Sequence, residues 1–246
     1  AGIFQDDCLI IPQDVCVHTS IYRDTITLQF IEDGYQVVYQ RCCRNQTIAN
    51  IVNPLETGAT YDIEITAAAM QVCNSSPRFK EWPPIFVCVD EPIFYDHGAI
   101  DPDGDSLAYS LCTPFTGATM DFPQPQPPAS PPYDTLTWVD PTYNLDNVLG
   151  EGRALRIDPR RGFLFARPGL QGQFVVGVCV EEYRNGVLLS RTRRDFQYNI
   201  GMCREIGSRV GAPEVQCNDL TVNFESFSTD SDELSARRKR RFRCCR

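Results

Sequence analysis

The sequence predicts an all-β protein, built as tandem immunoglobulin-like β-sandwiches, and three observations lead there. Short runs rich in Val, Ile, Thr and Tyr recur along the chain, punctuated by Gly, Pro and Asn. Eighteen prolines leave little room for helices, and only residues 46–52 look helical. Tyr61, Ile63 and Ile65 alternate with Asp62 and Glu64, the period of a strand with one buried and one wet face.

Taken in order, residues 21–30, 35–39, 61–66 and 85–89 read as the strands of a first sandwich over residues 1–92. Residues 106–112, 135–139, 154–157, 162–165, 173–182 and 193–200 read as a second over residues 93–204. Asn185-Gly186 between two apolar runs marks a hairpin. Residues 122–133, with their Pro-Gln-Pro-Gln-Pro-Pro run, cannot join a ladder. They are expected as a rigid polyproline-like surface loop, with a peptide-recognition ligand as the alternative. Residues 205–246 are expected to start a third module, with Leu220, Val222 and Phe224 on one side of a strand, before a basic tail.

Charge and cysteine usage restrict the function classes. Residues 237–246 hold six Arg, one Lys and no acid, so the first 236 residues carry about −16 of the net −9. Such a body repels nucleic acid and anionic membranes and favours hard cations. Twelve cysteines in a chain large enough to bury a core without staples point to an oxidising, extracellular compartment. Zinc competes poorly, because no Cys-x-x-Cys pair occurs and only His18 and His97 could assist. No apolar run approaches the ~20 residues needed to cross a bilayer. No charged-then-apolar leader opens the chain, as expected if processing removed it or if the sequence starts inside a longer protein.

Asp101-Pro-Asp-Gly-Asp105 is the motif richest in chemistry. Asp101, Asp103 and Asp105 alternate around a turn-forming Gly, so their oxygens can converge on Ca²⁺, with Asp96 adding a ligand from the domain junction. The motif is not an EF-hand, since its glycine is fourth and its twelfth position is Cys112. The plainer reading is a solvated turn opening the strand 107–111.

Catalytic signatures are absent: there is no Gly-x-Ser-x-Gly elbow, His-Glu-x-x-His helix or phosphate-binding Gly loop. His97 beside Asp96 reads as a junction residue packed near Pro92 and Tyr95 before it reads as a base. Glu181 and Glu182 point to opposite strand faces and so cannot flank one bond; with Arg184 they are expected in surface ion pairs. Trp82, Tyr133 and Trp138 could stack on sugar rings, or simply pack in core and loops.

Among the cysteines, Cys112 and Cys179 fall in strands that point inward and suit an inter-strand bridge, and Cys8 and Cys16 could close a short loop. Cys42 and Cys43, ~3.8 Å apart across a trans peptide, are expected to reach separate partners, Cys73 and Cys88 being candidates.

Tyr39-Gln-Arg-Cys-Cys-Arg-Asn45, Asn74-Ser-Ser-Pro77, Tyr95-Asp-His97, residues 101–114 and Gly172-Gln-Phe-Val-Val-Gly-Val-Cys-Val-Glu-Glu-Tyr-Arg-Asn-Gly186 together resemble large Bacteroidota surface proteins of the PKD-domain, gliding-motility-associated kind. The resemblance spans residues 8–203. It implies a pair of immunoglobulin-like modules ahead of PKD repeats and a type IX secretion sorting domain, and residues 215–229 are similar to the opening of such a repeat. It also implies a bacterial surface, where Thr25, Ser106 and Thr135, each after an Asp, fit an O-glycan acceptor pattern. Asn45-Gln-Thr and Asn74-Ser-Ser would be glycosylated only in a eukaryotic secretory path. The family carries further strands before the segment starting at Ala1, and the basic tail does not continue a PKD repeat. A sandwich short of a strand suits polymerisation by strand addition.

The expected function is therefore a non-catalytic structural or adhesive module of a secreted bacterial cell-surface protein or extracellular filament, stiffened by calcium. Its partners are other copies or other surface modules. The alternative is a carbohydrate-binding accessory module. Neither nucleic acid binding nor membrane insertion is expected.

Overall fold

Residues 172–180 read Gly-Gln-Phe-Val-Val-Gly-Val-Cys-Val, an apolar run without alternation, which only a strand covered on both faces can hold. In the computed structural model this run opens β10 and lies at the centre of the fold. The structure describes residues 20–150 and 154–203, and the backbone of four two-residue strands between residues 206 and 230. The expectations for Cys8, Cys16, His18 and the basic tail 237–246 lie outside the described residues.

In chain order the elements are β1 (Tyr35–Arg41), β2 (Ala59–Ile65), a single helical turn α1 (Ala67–Met70), β3 (Arg78–Phe79), β4 (Phe86–Cys88), β5 (Ile93–Asp96) and β6 (Ala99–Ile100). Then follow β7 (Ser106–Leu111), β8 (Arg156–Ile157), β9 (Phe163–Ala166), β10 (Gly172–Arg184) and β11 (Val187–Gly201). A six-stranded sheet runs β1-β2-β11-β10-β7, with β4 pairing in parallel with the end of β11. All other pairs in it are antiparallel. The β10–β11 hairpin turns on Asn185 and Gly186, whose φ values of 52° and 80° are those of a type I′ turn.

A three-stranded antiparallel sheet, β5-β9-β8, faces the long hairpin. Between them lies the main core: Ile93 and Leu164 from the small sheet meet Phe174, Val176, Val178, Tyr198 and Ile200, with Val148, Leu149 and Leu155 from the connecting loop. Val175, on the opposite face of β10, packs with Ile48, Ile51 and Leu136. Asn50 fixes this second layer by bonding the carbonyls of Val148 and Val175 and accepting the Val175 N–H.

The architecture is all-β and sandwich-like, with nearly every described element a strand. The expected division at residue 92 does not appear as a break, because β1, β2 and β4 share one sheet with β7, β10 and β11. Asp14–Gly201 form one compact unit. The cause is the length of β11, which pairs with β10 on one side and offers the other side to β2 and β4. In the second unit, two antiparallel ladders are nested: β12 (Ile206–Gly207) with β15 (Thr229–Asp230), and β13 (Val210–Gly211) with β14 (Glu225–Ser226).

Three local expectations are corrected. Residues 46–52 are not helical but form isolated bridges, Ile48 to Gln173 and Ile51 to Trp138. The alternation of β2 is real in its first half, but there its faces are inverted, while Ile63, Glu64 and Ile65 are all half-buried. Thr60 and Asp62 are buried while Tyr61 is exposed, because the segment around Phe115 and Thr116 covers the polar face and bonds Thr60. Residues 21–30 belong to no strand, and Ile26, Leu28 and Phe30 stand 66%, 39% and 51% exposed. The proline segment forms a loop against β1, where Pro123 accepts the Cys42 N–H and Gln40 accepts the Ala129 N–H.

Candidate metal site

The acidic loop joins β6 to β7. Asp101 Oδ1 accepts the N–H groups of Asp103 (3.0 Å) and Asp105 (2.9 Å), so the first carboxylate folds the loop around itself. Gly104, at φ 83°, supplies the left-handed backbone the turn requires. Asp101 Oδ2 is left buried without a hydrogen-bond partner.

The loop is tied to β10. Arg184 donates from Nε to Asp105 Oδ1 and from Nη2 to Asp105 Oδ2, both at 2.7 Å, a fork-on-fork pair. Nη1 also donates to the Cys73 carbonyl and Nη2 to Asn74 Oδ1. The Arg184 hydrogen bonds hold the Asp105 carboxyl below the usual carboxylate range.

Glu182 completes the group. Along β10 it continues the inward row Phe174, Val176, Val178, Val180, and it is 0% exposed. A bulge between Glu182 and Tyr183 adjusts its aim. Oε2 accepts from Asn74 Nδ2 (3.1 Å) and from Ser190 Oγ; Oε1 meets no donor, and the carboxyl is paired with that of Asp105. Burial pushes its carboxyl up. Oxygens of Asp101, Asp105 and Glu182 lie within 4.8 Å of one another.

Of the four expected ligands, Asp101 and Asp105 come together, while Asp103 and Asp96 do not join them. Asp103 Oδ2 accepts the Ser75 N–H at 2.6 Å. Asp96 binds Lys80 Nζ (2.9 Å) and the Gly98 N–H (2.8 Å), and the Lys80 hydrogen bond lowers its carboxyl. Glu182 was expected on the surface. The signal that it faces inward is strand period: it stands two positions beyond Val180, on the face of the apolar row. Glu181 is the surface partner, bonded to Arg191 and Tyr183.

His97 is enclosed by Phe79, Tyr95 and Phe196, with ring centroids 5.1–5.6 Å away, and neither ring nitrogen has a partner. The burial drops its pKa to about 3, the reverse of what a base at neutral pH needs. Trp82 is 67% exposed, but Trp138 packs in both core layers and Tyr133 leans on Phe115, so the three aromatics form no common platform. Thr25, Ser106 and Thr135 are all exposed.

Cys112 and Cys179 are disulfide-bonded, Cα atoms 5.9 Å apart, where β7 ends beside β10. Cys42 and Cys43 bond each other rather than separate partners. The peptide between them is cis, which brings the Cα atoms to 3.0 Å. Cys73 is a free, exposed thiol, and Cys88 and Cys203 are both disulfide-bonded. These bonds fit an oxidising environment. No described helix is long and apolar enough to cross a membrane.

Fold and bonding define a disulfide-bonded, sandwich-like all-β protein. No known protein family, curated protein or solved structure matches this chain.

Proposed function

We propose that the chain is a non-catalytic structural and adhesive module of an extracellular bacterial surface protein or filament, and that copies of it join by strand addition. In this reading the sandwich is an immunoglobulin-like variant, and the resemblance to Bacteroidota surface proteins supplies the setting. The disulfides and the exposed threonines and serine of the glycan-acceptor pattern support an extracellular site.

Residues 24–31 carry the proposal. They have the apolar alternation of a strand in Ile26, Leu28 and Phe30, yet these side chains face solvent and the segment joins no sheet among the described residues. The same chain offers an acceptor. β1 is an edge strand that reads Tyr-Gln-Val-Val-Tyr-Gln before its first charge at Arg41, without the charges that normally guard an edge. Val37, Tyr39 and Tyr61 extend that edge as an exposed apolar face. A donor and a different acceptor on one chain make a heterologous contact, which propagates into an open chain of subunits. Each half-exposed apolar side chain buried there contributes on the order of 1 kcal/mol.

Light scattering after size exclusion, with electron microscopy of the same fractions, tests this. Wild type should form concentration-dependent oligomers or fibres, and Leu28→Asp with Phe30→Asp should be monomeric with an unchanged melting temperature. A wild type that stays monomeric at every concentration overturns the proposal. A closed dimer insensitive to Leu28 overturns strand addition.

The carbohydrate-binding alternative has weaker support. Trp138 is partly buried and packs against both core layers, and it forms no shared platform with Trp82 and Tyr133.

A further inference from the structure

Burying a carboxylate is costly unless a cation or a full set of hydrogen bonds compensates it. Among the described residues, the other deeply buried acidic side chains, Asp195 and Asp62, each have an arginine, Arg44 at 2.6 Å and Arg193 at 3.9 Å. Glu182 has no cation: it accepts from the neutral donors Asn74 and Ser190, and its carboxyl is paired with that of Asp105, a contact that needs a proton or a cation between the two acids. Glu182 Oε1 and Asp101 Oδ2 are two buried oxygens that meet no donor, in a group whose third member, Asp105, keeps further lone pairs beyond its two bonds to Arg184.

We infer that Asp101, Asp105 and Glu182 form a site for a hard divalent cation of the calcium class, bridging the loop before β7 to the end of β10. The donors are all oxygen, the set that selects hard cations over zinc or copper. Ligands at ~2.3–2.6 Å from one Ca²⁺ stand up to about 5 Å apart, so a spread within 4.8 Å needs little rearrangement. A cation there gives Asp101 Oδ2 the partner it lacks and takes the place of the proton that the Glu182 and Asp105 carboxyls share. Arg184 bonds neither Asp101 Oδ2 nor Glu182 Oε1: four of its five donors go to Asp105, Asn74 and the Cys73 carbonyl. The irregular arrangement, with one carboxylate on a strand and two on a turn, suits the flexible coordination of calcium better than the strict octahedron of magnesium. This site is independent of how copies of the chain assemble.

The test uses the full chain, stripped with a chelator and titrated with calcium chloride, read by calorimetry and by thermal melting. Wild type should bind saturably and melt about 5–10 °C higher at a hundredfold excess over its Kd. Glu182→Gln and Asp101→Asn should bind at least tenfold more weakly, while Asp96→Asn should bind like wild type. No binding heat and no melting shift in wild type would falsify the site, as would wild-type affinity in Glu182→Gln. Should Glu182→Gln fail to fold, Asp101→Asn and the wild-type titration decide. An equal response to magnesium chloride overturns the calcium class.

Discussion

Replacing His97 with Phe should remove an acid sensitivity built into the core. The imidazole is 1% exposed among Phe79, Tyr95 and Phe196. Burial, helped by the nearby Arg194 cation and opposed by Asp96, lowers its pKa to about 3. In the unfolded chain the ring titrates near 6.5. Between these values the unfolded state holds a proton that the folded state does not, so stability is complete above pH 6.5 and falls as pH drops towards 3. From pH 7.5 to pH 5 the loss is about 2 kcal/mol for this one group. Urea unfolding of wild type and His97→Phe, disulfides intact, measures it directly. Carboxylates contribute equally to both proteins, so the difference between the two profiles isolates the ring. Wild type should lose about 2 kcal/mol more than the variant over that interval. Phe also leaves no ring nitrogen unpartnered, so at pH 7.5 the variant should be as stable as wild type within about 1.5 kcal/mol. Parallel profiles would refute the reasoning, for they would mean that His97 is protonated within the fold.

Two further outcomes follow from buried bonding. Arg44→Met strips the bidentate partner from Asp195, whose carboxyl burial already pushes up, and should cost about 3–5 kcal/mol in urea unfolding. Adding Asp195→Leu should recover most of that, and a double variant no better than the single would show that packing, not the orphaned charge, sets the cost. The Cys112–Cys179 bond closes a span of 67 residues, so Cys112→Ala with Cys179→Ala should lower stability by about 4 kcal/mol on chain entropy; unchanged unfolding would place the constraint elsewhere.

The parts of this fold that local chemistry dictates were legible in the sequence. Asn185-Gly186 permits the positive φ of a two-residue turn, and the hairpin is there. Asp101 and Gly104 specify a turn by short-range bonding, and the turn is there. What failed depended on partners distant in the chain. Alternation in β2 revealed its period but not its covered face, which residues around Phe115 decide. Punctuation near residue 92 suggested a domain border, because nothing local reveals that β11 pairs on both edges. Cys42 and Cys43 were separated on the premise of a trans peptide, and the peptide is cis. Glu182 was readable in principle, since it continues the apolar row of β10, but its neighbour Glu181 made the pair look like an exposed end of strand.

The buried charges also explain why the two proposals address opposite ends of the sheet. At the β2–β11 side, each acidic group has a cation of the chain beside it: Arg191 bonds Glu64 and Glu181, and Arg193 stands 3.9 Å from Asp62, near enough to offset its charge though not to bond its Oδ1. That region needs no added cation, and β1 is its edge strand, with the proline loop against the Gln40–Arg41 end. At the β7–β10 side, one guanidinium is shared among Asp103, Asp105 and their neighbours, while Glu182 and Asp101 each keep an oxygen that meets no donor. A cation there fixes the approach into β7 and thereby the start of the strand that carries Cys112 to its bond with Cys179. Metal binding should therefore protect the β7 amides from hydrogen exchange while leaving those of β1 unchanged, and strand addition should do the reverse.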